Sequence, residues 1–264
     1  MAFHGIFIGV GKYEDPDVPE LVGAARDAKA LHALFVDTLG DSSPVLLVDE
    51  DATVENIKQG FEQIEARAGI DDTVVLYFSG HGSHDHRLAA HDTKLTNLVA
   101  TTIAMDDVAQ FFRQTKARAV PCILDCCFSG GAPAKVLEAS PIPRDALSPF
   151  DGFVGEGRLL LTACAVDEVA YESPTTRHGV LTKALLDLFR GSAGPINMLS
   201  AIDQVLQDVR AEAARMGIIQ TPVLLGTVQG GLIGDLFRQT SPNTAAQSLA
   251  ATLQSWSRSA FLPS

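Results

Sequence analysis

Val74-Val-Leu-Tyr-Phe-Ser-Gly-His-Gly82 is an apolar run that breaks at glycine beside a residue able to do chemistry. Ala119-Val-Pro-Cys-Ile-Leu-Asp-Cys-Cys-Phe-Ser-Gly-Gly131 repeats the arrangement. Short apolar runs bounded by glycine read as buried strands. The first delivers His81, and the second delivers Asp125, Cys126 and Cys127. As neighbours in a parallel sheet, the two would open their carboxyl ends on one edge, where ligands of α/β sheets bind. An imidazole and a thiol would then face each other.

The flanking chain alternates strand and helix. Gly5 to Val10 is a first buried strand, and its tail Gly9-Val-Gly-Lys12 fails as a phosphate loop, because Ile6 stands where the first glycine belongs and Tyr13 follows the lysine. A helix is expected from about Ala24 to Leu39, with Ala28, Leu31, Leu34 and Phe35 at helical spacing. Val45 to Val48 is a second strand, and Thr53 reads as the N-cap of a helix carrying Ile57, Phe61 and Ile64 on one face. The polar stretch from Ser83 to Thr101 shows no periodicity and is expected to be a loop, with a helix following over Met105 to Gln114. Prolines at 133, 141, 143 and 149 mark an irregular connection to about Gly157. Strand and helix resume at Leu159–Thr162, Val180–Phe189, Leu199–Met216 and Val223–Leu225. Such alternation predicts a mostly parallel sheet with right-handed crossovers.

Composition narrows the function classes. With 46% hydrophobic residues the chain can bury a full core. A net charge of −12, from 20 basic and 32 acidic residues, argues against a nucleic-acid partner, whose footprint is a basic stripe. Cys122, Cys126, Cys127 and Cys164 are too few, with two adjacent, to frame a disulfide scaffold. Met1-Ala-Phe-His-Gly lacks the basic segment of a signal peptide, and no apolar run is long enough to span a bilayer. The expectation is a cytoplasmic, reduced protein without a membrane partner.

A thiol is a nucleophile as its thiolate, and an imidazole within reach takes the proton. Both need rigid, exposed elbows, which strand ends followed by glycine supply. The N–H of Gly82 and that of the reactive cysteine are candidate donors to a developing oxyanion. Jointly, Tyr77-Phe-Ser-Gly-His-Gly82 and Asp125-Cys-Cys-Phe-Ser-Gly130 resemble the paired strand ends of the caspase-like cysteine peptidases, in particular the metacaspase and bacterial caspase-homologue branch. In this register Cys127 is the nucleophile and His81 the base, Cys126 falls on a variable position, and Phe128 replaces a histidine often found there. Leu21-Val-Gly-Ala-Ala-Arg-Asp-Ala28 is similar to the family's first-helix entry. Leu159-Leu-Leu-Thr-Ala-Cys164, Ala170-Tyr-Glu172 and His178-Gly-Val-Leu-Thr182 are similar to its small-subunit half.

The resemblance implies a three-layer α/β/α sandwich around a mostly parallel six-stranded sheet. It implies a peptidase domain over 1–239, in which a large-subunit-like segment (1–135) and a small-subunit-like segment (158–239) flank a connection (136–157), with a tail over 240–264. It also implies an S1 pocket built from Asp27, Ser79 and Asp125. Two carboxylates in a partly desolvated slot suit a guanidinium fork better than an ammonium, so the expected cleavage is after arginine, with lysine second. Lys135, Arg144 and Arg158 are candidate processing sites, Arg144 the most exposed of them. Asp106 and Asp107 resemble a portion of a family calcium site whose further acidic position is Ala134 here, so no cofactor is expected. His81, His84, His86 and His91 match no structural zinc spacing. Family context points to regulated cell death or antiphage defence, released by a sensor protein or fused domain. The rivals are a catalytically silent scaffold on the same fold and a nucleotide binder on a flavodoxin-like sheet.

Overall fold

The computed structural model describes residues 2–38, 44–83, 85–127, 136–137, 157–165, 168–191 and 198–227. In chain order the elements are β1 (Phe3–Gly9), α1 (Ala24–Thr38), β2 (Val45–Val48), α2 (Val54–Arg67), β3 (Thr73–Ser79), β4 (Gly82–Ser83), β5 (Arg87–Ala89), α3 (Leu98–Thr101), β6 (Thr102–Ala104), α4 (Met105–Gln114), β7 (Val120–Asp125), β8 (Val136–Leu137), β9 (Arg158–Thr162), α5 (Val180–Gly191), α6 (Met198–Met216) and β10 (Val223–Thr227). Arg144, the candidate processing site, and the tail from 240 onward lie outside the described residues.

The main sheet has the order β10-β9-β7-β3-β1-β2. All its neighbours are parallel except β10, which runs antiparallel to β9. Every residue of β3 is buried, as a central strand covered on both faces requires. Period-two alternation divides its side chains. Val75 and Tyr77 join a core with residues of α1, α5 and α6, while Val74, Leu76 and Phe78 join a second core with residues of α2 and α4. These two cores are the outer interfaces of a three-layer α/β/α sandwich. β7 obeys the same rule, and the alternation continues past its end: Ile123 and Cys127 lie in the first core, Cys122, Leu124 and Cys126 in the second. Adjacent cysteines thus face opposite sides of the sheet.

Thr53 caps α2 as expected, accepting from Asn56 N–H. The stretch Ser83 to Thr101 departs from expectation. It carries β5 and α3, and with β6 it builds a second sheet of order β6-β5-β4-β8. Arg87 braces it, donating from Nε to Thr102 Oγ1 at 2.5 Å and from Nη2 to Val99 O at 2.7 Å. Two- and three-residue strands are too short to show a period, so side-chain pattern could not announce them. The failed phosphate loop is closed from inside: Gly11 N–H and Lys12 N–H both donate to Asp49 Oδ1, at 2.9 and 3.1 Å.

Arg158, one of the candidate processing sites, instead has a structural task. Its guanidinium donates to Phe112 O, Ala117 O and Thr115 O at 3.1, 2.9 and 2.8 Å, collecting carbonyls at and just beyond the end of α4. Such carbonyls have no partner within their own helix. A protease would have to unpair β9 to reach this residue. Arg158→Ala should cost about 2–4 kcal/mol, since it orphans three acceptors that a charged donor serves, and lower Tm by roughly 4–12 °C in a thermal melt. Arg158→Lys, with no planar fork, should recover only some of that.

Candidate active site

The two strands that carry the candidate residues are adjacent and in register, with Ser79 opposite Asp125. His81 and Cys127 follow, each two residues later, at the carboxyl edge of strands spaced about 4.8 Å apart. On both strands the odd-numbered positions face α1 and α5, so Ser79 and Asp125 share that side with the thiol of Cys127.

His81 is fixed by three contacts from the β1–α1 loop. Its backbone N–H donates to Tyr13 Oη at 3.1 Å, its ring stacks at a tilt on Tyr13 with centroids 5.3 Å apart, and Nε2 lies 2.7 Å from Pro19 O. A carbonyl oxygen can only accept, so the proton sits on Nε2 and the lone pair on Nδ1. Pro19 therefore sets the tautomer that a base needs. Sequence reading missed it because a backbone carbonyl leaves no trace in residue identity. Tyr13 Oη also donates to Val10 O at 2.9 Å, and burial pushes its phenol far above the ordinary range, so it stays a donor at any working pH. Tyr13→Phe should lower kcat about 3- to 10-fold with KM nearly unchanged, measured by steady-state peptide hydrolysis, because the imidazole loses a brace but the substrate loses no contact.

Cys127 and His81 are buried, not exposed on elbows as the glycines suggested; the relative exposures are 0% and 1%. The Cys127 sulfur is covered by the segment around Ala170, whose N–H donates to Sγ at 2.8 Å and whose carbonyl lies 3.5 Å away. A donor aimed at sulfur suits one that carries negative charge. Cys164 lies alongside, donating to Glu168 O at 3.4 Å and Cys126 O at 3.8 Å. Its hydrogen bond to Cys127, then burial, push the Cys164 thiol far above its ordinary range. It stays protonated next to Cys127. Gly82, the other candidate oxyanion donor, sits in β4 between β5 and β8.

Asp27, Ser79 and Asp125 converge although they come from three elements. All three are fully buried. Asp27 Oδ1 accepts from His178 Nδ1, and Oδ2 accepts from Gly179 N–H at 2.9 Å. Asp125 Oδ2 accepts from Thr182 Oγ1 at 2.6 Å and Thr182 N–H at 3.2 Å. Tyr77 Oη approaches Thr182 Oγ1 at 2.6 Å and hydrogen-bonds Ser79. Burial first, then the charges of Asp27 and Asp125, push the Tyr77 phenol well up, so it donates into this network. Gly179 separates the carboxylates: a Cβ there would lie 2.1 Å from Asp125 Oδ2. His178, Gly179 and Thr182 were visible in sequence only as a motif, since their carboxylate partners lie on α1 and β7.

Of the Asp106–Asp107 pair, Asp107 is engaged within the protein. Asp107 Oδ2 accepts from Ala104 N–H at 3.2 Å, capping α4, and lies 3.6 Å from Lys58 Nζ, so a second cation there would meet a first. Calcium asks for about six or more oxygens. Of the histidines, His91 Nδ1 faces Lys12 O at 2.8 Å and His81 faces Pro19 O. No helix among the described residues is long and apolar enough to cross a membrane.

Comparison with known proteins agrees with this fold. Residues 4–230 match the family model described as Caspase domain. Among solved structures, protein GSU0716 from Geobacter sulfurreducens superposes with a TM-score of 0.65 at 15% identity, over 91% of this chain and 98% of that one. Caspase-1 from Spodoptera frugiperda superposes with a TM-score of 0.63 at 14% identity, over 86% of this chain and 87% of that one. No curated protein matches. At these identities the two structures speak for the fold alone, whereas the family model spans most of the sequence: the chain belongs to the caspase-domain family, whose members are generally cysteine peptidases.

Proposed function

We propose that this protein is a cysteine endopeptidase that cuts after arginine, with lysine second. Cys127 is the nucleophile, His81 the base, and Asp27, Ser79 and Asp125 form the S1 pocket. The observation that carries the reading is the β3–β7 register, with Ser79 opposite Asp125 and the two reactive residues immediately beyond. His81 Nδ1 accepts the thiol proton, and Cys127 Sγ attacks the scissile carbonyl carbon. The N–H groups of Gly82 and Cys127 receive the oxyanion. The amine leaves with the proton from His81, and water, activated by the same imidazole, hydrolyses the thioester. Attack requires Sγ to turn away from Ala170, so the buried arrangement corresponds to a resting enzyme. That fits a regulated effector, released by a sensor partner or a fused domain, of the kind used in prokaryotic cell death or antiphage defence. Cleavage at Arg144, in the connection between the two halves, is the expected processing event.

The test is a peptide library incubated with wild type and Cys127→Ala, with and without calcium. Cleavage by wild type alone, after arginine, and indifferent to calcium, is the expected result. Equal cleavage by both proteins, or cleavage after aspartate, removes the proposal. The burial of Cys127 favours one second reading, a silent scaffold on the caspase fold. Labelling of wild type, but not Cys127→Ala, by an arginyl chloromethyl ketone excludes it.

A further inference from the structure

The imidazole of His178 stands on a carboxylate that the arginine reading assigns to substrate. His178 Nδ1 is bonded to Asp27 Oδ1. The Asp27 side chain has no exposed surface while that of His178 keeps 18%, so the imidazole is the layer between the carboxylate and solvent. The turn that carries it is clamped onto the entry of α1. Glu172 pairs with Gly179 across a β-bridge, and within the turn Ser173 N–H donates to His178 O and Arg177 N–H to Ser173 O, each at 2.7 Å. From the α1 side, the Arg26 guanidinium donates to Arg177 O, and Gly23 N–H donates to Glu172 Oε1 at 2.8 Å. Arg177 holds a left-handed φ of 57° to complete the turn. A Cβ on Gly23 would lie 2.6 Å from Arg177 O, so the two backbones are in direct contact.

We propose that His178 is an internal occupant of the S1 pocket, a self-ligand that a basic substrate side chain must displace from Asp27 before it binds. This rests on the reading that S1 accepts a basic residue. An entering guanidinium or ammonium exchanges the imidazole's hydrogen bond to Asp27 for its own, so the net gain at this carboxylate is small while His178 is present. The displacement is the same for both cations, so it weakens arginine and lysine alike and leaves their ranking to Asp125. Because His178 meets the side chain and not the scissile bond, it acts on binding and not on the chemical step.

The experiment compares wild type, His178→Ala and His178→Asn on fluorogenic peptides with arginine or lysine before the cut. Asparagine keeps an amide donor near the Nδ1 position, so it retains the fold and half-fills the pocket should alanine fail to fold. The expected result is a KM lowered about 10-fold for both peptides by alanine and about 3-fold by asparagine, with kcat unchanged. In parallel, agmatine, which carries the arginine guanidinium alone, should raise the Tm of His178→Ala more than that of wild type. A KM that stays or rises in both variants while wild type cleaves after arginine overturns the self-ligand and leaves the S1 reading intact. If wild type neither cleaves after basic residues nor responds to agmatine, the S1 reading falls and takes this proposal with it.

Discussion

Cys127→Ala should lower kcat/KM on an arginyl peptide by about 10⁴-fold or more, while Cys126→Ala and Cys164→Ala leave it within about 3-fold of wild type. Removing the nucleophile of a dyad leaves only binding and oxyanion stabilisation, and losses of about 10⁴–10⁶ are the rule for such changes. His81→Ala should fall in the same range, and the double variant with Cys127→Ala should be little worse than either alone, because the two residues act as one unit. Selectivity among the thiols follows from the fold. Cys126 points into the core on the α2 and α4 face. Cys164 is held as a thiol by its bond to Cys127 and by burial. Cys126→Ala removes a small buried side chain and should cost about 1 kcal/mol of stability without touching the reaction. Steady-state kinetics with a melt for each variant checks this. Retention of more than about 1% activity in Cys127→Ala, or its loss in Cys126→Ala, assigns the chemistry to the wrong residue.

The strands that matter most were the easiest to read. β3 and β7 are apolar along their middles because the sheet is covered on both sides, and each ends on a polar residue, Ser79 or Asp125. Which cysteine shares a face with Ser79 and Asp125 needed the strand register: with Tyr77 paired to Ile123, the odd positions lead to Ser79, Asp125 and Cys127, and Cys126 falls on the other side. Other regions of the site had no local signature. Pro19 contributes only a carbonyl. The Asp27–His178 contact spans 151 positions of sequence, and neither residue is unusual where it stands. The burial of Cys127 beneath Ala170 is a property of a segment that packs across the strand end, and no pattern within either stretch reports it. β4, β5 and β6 failed for the opposite reason, since their length is below that at which alternation can be recognised.

Asp125→Asn should lower kcat/KM for an arginyl peptide by about 30- to 1000-fold and leave the corresponding citrulline peptide within about 3-fold. Citrulline has the shape of arginine without its charge, so the ratio of the two isolates the electrostatic share of recognition. Asparagine is nearly isosteric with aspartate, and its Oδ1 can still accept from Thr182 Oγ1 and N–H, the contacts made by Asp125 Oδ2 at 2.6 and 3.2 Å. The space that Gly179 leaves beside the same oxygen, where a Cβ would lie 2.1 Å away, is unchanged as well. The fold should therefore survive, with the loss confined to the charge. A guanidinium brought into a buried pocket trades hydration for a carboxylate partner, and withdrawing that partner costs about 2–4 kcal/mol. Asp27→Asn should give a smaller loss for arginine, because in the free enzyme that carboxylate is already engaged by His178. The order Asp125 before Asp27 is thus a consequence of the occupied pocket and not of the number of carboxylates in it. If the two variants lose equally, His178 does not occupy Asp27 in solution. If Asp125→Asn keeps arginyl cleavage within about 3-fold, the pocket that selects the substrate lies elsewhere.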